Sequence, residues 1–141
     1  SVFYNCGNDA IDVSGSIVII DSVFIDNAGD KAISIGEKSL LNGKNIKIQN
    51  SEIGITSKDL SIVELDSITI SNTKIGFTAY QKKPEYGFGK IKVDKYVLNN
   101  VEISFLIEKG SSMIANNNNV PIIDRKVEDM LYGSIYGKSS N

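Results

Sequence analysis

Asn27-Ala28-Gly29-Asp30-Lys31-Ala32-Ile33-Ser34-Ile35-Gly36 decides the fold, because a chain of 141 residues repeats its plan four more times. The apolar-x-apolar triplet Ile33-Ser34-Ile35 has counterparts in Ile11-Asp12-Val13, Ile53-Gly54-Ile55, Ile75-Gly76-Phe77 and Ile103-Ser104-Phe105. Their first residues step by 22, 20, 22 and 28. An Asn precedes each triplet, at positions 5, 27, 50, 72 and 100, with steps of 22, 23, 22 and 28. The long last step is an ordinary repeat plus about six residues, and the surplus falls between Gln81 and Lys90.

A period near 22 built from short β-rich runs is the signature of a solenoid. The 22 Ile and 10 Val sit in runs of a few residues separated by Gly, Asn, Asp or Ser, which is strand-and-turn chemistry. A leucine-rich repeat has similar length, but this chain has few Leu and no helical half-repeat. The reading is all-β: a right-handed parallel β-helix of about five coils. Each coil carries three short strands, paired in parallel with their equivalents ~4.8 Å along the axis. Ile11, Ile33, Ile53, Ile75 and Ile103 are expected to stack inward as one ladder. The repeated Asn belongs at a tight bend, where it tolerates left-handed backbone and bonds its neighbour in the next coil. Cys6 reads as a small core residue of the first coil.

Residues 1–112 form the coils, and 113–141 a C-terminal cap and tail. Val127, Met130 and Leu131 stand at i, i+3 and i+4, with Gly133 at a C-cap position, which predicts a short amphipathic helix. That helix is expected to lie over the open end of the solenoid, with Gly137–Asn141 fraying. The first coil begins mid-repeat without an equivalent cap, which predicts further coils ahead of Ser1 as its partner in a longer parent chain.

Net charge is −2, and five Asp without any Lys or Arg fall in residues 1–30, whereas five Lys fall in 81–95. No basic field of the kind phosphate binding needs spans the chain, so nucleic acid is excluded as a partner. The chain has no His, which removes imidazole bases, triads and metal sites. A single Cys precludes an internal disulfide. No run of ~18 apolar residues exists, so no membrane span is expected.

Asn5-Cys6-Gly7-Asn8-Asp9-Ala10-Ile11-Asp12-Val13-Ser14-Gly15-Ser16 and Gly29 to Ser39 resemble the right-handed parallel β-helix repeats of the pectate-lyase-like superfamily. More narrowly, GDKAISIGEKS, IGITSKDLS and IGFTAYQKKPEYG resemble the β-helix segment of large bacterial envelope proteins, found beside spore-coat-H (CotH)-type kinase or lamin-tail-like domains. The resemblance covers about residues 1–110 and brings no catalytic residues with it. It implies an extracellular or envelope location.

The polar positions around each triplet stack along one edge of such a coil. Asp9, Asp12, Asp30, Glu37, Lys38, Lys58, Asp59, Tyr80 and Lys82 are thereby candidates to share a groove. β-helix glycosidases use carboxylate pairs as acid and base, and the related lyases use a Lys or Arg base with Ca²⁺ held by carboxylates. On the enzymatic alternative Asp9, Asp12, Asp30 and Lys58 carry the chemistry, and Asp9, Asp12 and Asp30 would hold calcium. The plainer reading makes these charges a solvated face, with Asp30/Lys31 and Glu37/Lys38 paired. The loop from Gln81 to Gly89 reads as a protrusion joining Lys82 and Lys83 to Tyr80, Tyr86 and Phe88, which suits a sugar face or a protein partner. A non-catalytic module binding polysaccharide or protein through Glu37, Lys38, Lys58, Asp59, Tyr80, Lys82, Lys83 and Tyr86 is the leading expectation. A polysaccharide lyase or glycoside hydrolase is the alternative.

Overall fold

A computed structural model describes residues 1–132; Gly133 and the tail 137–141 lie outside them. The chain forms a parallel β-solenoid of about five turns with a period near 22 residues and one short C-terminal helix. Its strands are β1 (Val2–Cys6), β2 (Ile11–Ser14), β3 (Ile17–Ala28), β4 (Lys31–Gly36) and β5 (Leu40–Gln49). They continue as β6 (Ile53–Lys58), β7 (Ile62–Tyr80), β8 (Lys90–Ile107), β9 (Ser112–Ala115) and β10 (Asn118–Asn119), before α1 (Val127–Tyr132). The long strands bend at corners, so each coil presents three faces. The first face holds Ile17, Leu40, Ile62, Lys90 and Ser112 in one column. The second stacks Phe3, Ile25, Ile48, Ile70 and Leu98, and the third stacks Ile11, Ile33, Ile55, Phe77 and Phe105.

Left-handed backbone makes the corners. Asn5, Asn27, Asn50, Asn72 and Asn100 all have φ between 48° and 65°, which Asn tolerates better than most residues. Asn27 donates from Nδ2 to Asn5 Oδ1 at 2.9 Å, and Asn100 to Asn72 Oδ1 at 2.8 Å. At the 23-residue step Asn50 bonds Asp26 Oδ1 instead, at 2.8 Å. A second corner uses paired left-handed residues, Glu37-Lys38 and Asp59-Leu60.

The third face corrects the expected ladder. Ile33 pairs with Ile55, not Ile53, whereas Ile53 lines up with Lys31, Ile75 and Ile103. The coil-to-coil step is therefore 22 here, and the apparent step of 20 is a two-residue slip in the triplet. A Cβ on Gly54 would lie 2.8 Å from the core atom Ile70 Cδ1, so Gly54 faces inward and its neighbour Ile53 faces out. The same Cβ would stand 2.5 Å from the Gly76 carbonyl oxygen, which leaves room only for hydrogen. Inside, Ile25, Ile33, Ile48, Ile55, Ile70 and Phe77 are fully buried. Phe105 stacks on Phe77 with centroids 5.9 Å apart. Cys6 is half-buried and pairs with Ala28.

The outward isoleucines belong to a second cluster, formed by Ile53, Ile75, Tyr80 and Leu106 with Val127, Met130 and Leu131 of α1. The helix thus runs along the flank and does not close the open end. Its first amide, Val127 N–H, donates to Glu108 Oε1 at 2.9 Å, and the Tyr132 hydroxyl at its other end bonds Asp30 Oδ2 at 3.0 Å. Glu108 and Asp30 stand three coils apart, about 14 Å along the axis, so the segment is laid lengthwise. The end position was the expectation; the flank wins because outward Ile53, Ile75 and Leu106 offer the apolar stripe that the helix needs. Near the end, β9 pairs with β8 in parallel and β10 folds back antiparallel on β9. None of the described residues forms a helix long and apolar enough to cross a membrane.

Two substitutions separate the inner ladder from the surface. Ile55→Ala should cost about 2–5 kcal/mol through transfer and cavity terms, while Ile19→Ala, at a residue 79% exposed, should stay within ~0.5 kcal/mol. Denaturant melts of the two variants check the assignment.

Candidate functional site

Two surfaces carry the polar side chains: the flank under α1 and a groove on the first face. On the flank, Lys31 is almost fully buried and its ammonium reaches Asp30 Oδ2 at 3.0 Å and the Tyr132 hydroxyl. It also lies 4.9 Å from the centre of the Tyr132 ring. Asp9 accepts the Lys31 backbone N–H at 3.0 Å. Burial alone would pull the Lys31 ammonium down, but the Tyr132 hydrogen bond and the Asp30 and Asp9 charges outweigh it and leave its pKa raised. Burial pushes the Tyr132 phenol up to about 12, against the opposing effect of Lys31. Asp9 is raised because its desolvation exceeds the help from Lys31. Lys58 is lowered by burial and by the charges of Lys31 and Lys82, while Asp12 and Asp9 oppose the shift. Its stem lies on Gly36, where an added Cβ would meet Cε at 3.1 Å.

The structure therefore brings Asp9, Asp30, Lys31 and Lys58 into one neighbourhood, with Asp12 exposed at its rim. Tyr132 covers the Asp30–Lys31 part of that edge. Among the described residues no three acidic or Cys side chains converge as a group that could hold a metal ion. Asp9 and Asp30 face Lys31 instead, which already supplies the compensating charge.

Two of the expected surface residues are buried. Tyr80 is fully enclosed in the cluster beneath α1, and burial drives its phenol well above the usual range. Asp59 is also fully buried, and its Oδ1 accepts the backbone N–H groups of Lys82 and Lys83, each at 2.8 Å. They leave the binding surface for different reasons: α1 packs over Tyr80, and the loop after β7 folds back onto Asp59 and does not protrude. Tyr86 N–H closes a turn on the Lys83 carbonyl at 3.0 Å, and Leu60 N–H bonds the Phe88 carbonyl at 3.1 Å. Phe88 packs where a Cβ on Gly110 would stand. Lys83 pairs with Glu37, which lowers the Glu37 carboxyl, and the Lys38 ammonium sits 5.9 Å from the Tyr86 ring. Glu37, Lys38, Lys82, Lys83 and Tyr86 are thus gathered at one corner, where Glu37/Lys83 and Lys38/Tyr86 contact each other.

The groove was not among the sequence candidates. It holds about 500 Å³ on the first face, between the column Asp21, Lys44, Asp66, Asp94 and the column Ile19, Asn42, Glu64, Lys92. Hydrogen bonds from Asn45 and Ser22, with Lys44 3.7 Å away, hold the Asp21 carboxyl below its ordinary range. The signal lay in spacing: Asp21, Lys44, Asp66 and Asp94 step by 23, 22 and 28, the same steps as the corner Asn from 27 to 100. Comparison with protein-family models, curated proteins and solved structures returned no match.

Removing the Asp59 carboxylate should leave two part-buried N–H groups without their acceptor, at about 1–3 kcal/mol. Asp59→Ala is expected to lower the melting temperature and speed amide exchange over residues 81–89, whereas Asp59→Asn, which keeps one acceptor oxygen, should lose less. The flank pair also sets a pH dependence. Tyr132 and Lys31 both bind protons more tightly when folded, so their contribution is complete below about pH 10 and falls as the unfolded chain deprotonates first. Denaturant melts should show stability declining between about pH 10 and 12, and Tyr132→Phe should flatten part of that decline.

Proposed function

We propose that this chain is a non-catalytic β-solenoid module of a larger secreted or envelope-associated bacterial protein, which scaffolds its neighbours and binds a protein or carbohydrate partner laterally. The observation that carries this reading is the groove on the first face, which crosses four coils and is walled by side chains repeating at coil spacing. A parallel solenoid offers such extended, regularly spaced surfaces by construction. The family resemblance of the repeats supports the envelope setting and the pectate-lyase-like kinship. The engagement of Asp9 and Asp30 with Lys31 supports a structural use of the flank carboxylates.

A second reading rests on one observation, the lowered Lys58 ammonium beside Asp9 and Asp12. A part-buried lysine set beside two carboxylates is a candidate base, which suits a polysaccharide lyase or hydrolase. Incubation with acidic polysaccharides, followed by assay for unsaturated and reducing ends, distinguishes the two. The module reading expects no product above a heat-denatured control. Product that disappears in Asp9→Ala and Lys58→Ala would overturn it.

A further inference from the structure

The chemistry of the groove selects among the partners that the binding-module reading leaves open. Asp21 is engaged by Lys44, Asn45 and Ser22. Glu64, Asp66 and Asp94 have no hydrogen-bond or ion-pair partner among the described residues, and Lys92 is the one lining cation in the same condition. With four carboxylates against two lysines, the groove attracts positive charge. Among the described residues no aromatic ring lines it, so they offer no platform on which a sugar face could stack. Its Ile19 wall is 79% exposed, and the parallel column beside it begins with Ile17, 77% exposed, and continues through Leu40 to Ile62. Isoleucine this exposed, in a continuous strip, is characteristic of a contact surface.

We infer that the groove takes an extended segment of a protein partner in which basic and apolar side chains are mixed. Lysine or arginine of that segment would face Glu64, Asp66 and Asp94, and its apolar side chains would lie on the Ile19 and Ile17 strip. Four coils span about 14 Å, the length of four or five residues of extended chain. Charge sets the encounter and the choice of partner, and the apolar strip supplies the contact area. This inference rests on the module reading and narrows its partner to protein.

Fluorescence anisotropy with the full chain and a labelled decapeptide of alternating Lys and Val tests it. Saturable binding is expected, weakening as salt rises. Affinity should fall at least about tenfold in the triple variant Glu64→Gln/Asp66→Asn/Asp94→Asn, and severalfold in Ile19→Ser, with the thermal melts of both variants unchanged. An alternating Glu and Val peptide should not bind. No saturable binding, or equal affinity for the acidic peptide or for the triple variant, would overturn the inference. Displacement by a glucosamine oligomer, with affinity indifferent to Ile19→Ser, would overturn it in favour of a saccharide groove. Polysaccharide turnover is a separate readout, so failure of the module reading and failure of the peptide titration are told apart.

Discussion

Every backbone group in a parallel solenoid must find its partner one coil away, and that requirement governs the rest of the molecule. Once Ile11 pairs with Ile33, the register carries to Ile55, Phe77 and Phe105. Each position in the repeat becomes a column with one environment. A column either faces the core, faces solvent or lies under α1, and the residues in it obey that assignment together. The six surplus residues before Lys90 are tolerated because they fall at a corner, outside the paired segments. The same surplus within a strand would have left residues without partners and bulged the ladder.

The corners are the places where this rule meets backbone geometry. Left-handed conformations are needed at one to three corners per coil, and they fall on Asn, Ser, Asp, Glu, Lys and Leu as well as Gly15 and Gly110. Asn fits because its amide can donate along the axis to the preceding coil. Asp59 fits for another reason, since its buried carboxylate organises the start of the following loop. Leu60, exposed at φ 65°, has no such hydrogen bond; it lies against Gly87, where an added Cβ would stand 2.5 Å from Cδ2.

Much of the fold was legible because period and residue type agree. Steps of 22 in Asn5 and Asn27, and of 28 in Asn72 and Asn100, mark the corners directly, and Val127, Met130 and Leu131 mark the helix. The outward turn of Ile53, Ile75 and Ile103 was not legible. Hydrophobicity reports that a side chain is buried, but not whether the sheet's inner or outer surface buries it. The site shows the same divide. Asp59 and Tyr80 look like surface chemistry in the linear chain, and only the loop folding onto Asp59 and the helix packing over Tyr80 make them interior. The groove residues Glu64, Asp66 and Asp94 carry no motif. Their meaning comes from standing beside one another in space, on two adjacent coils.

Solenoids are built of nearest-neighbour contacts, so their ends can peel one coil at a time. The segment from Glu108 to Tyr132 departs from that pattern by fastening the fifth coil to the second across the flank. Peeling the early coils then requires releasing Tyr132 from Asp30 and Lys31, and opening the late coils requires freeing Val127 from Glu108. A row of separable links becomes a clasped unit, in which losses at either end are felt in the middle.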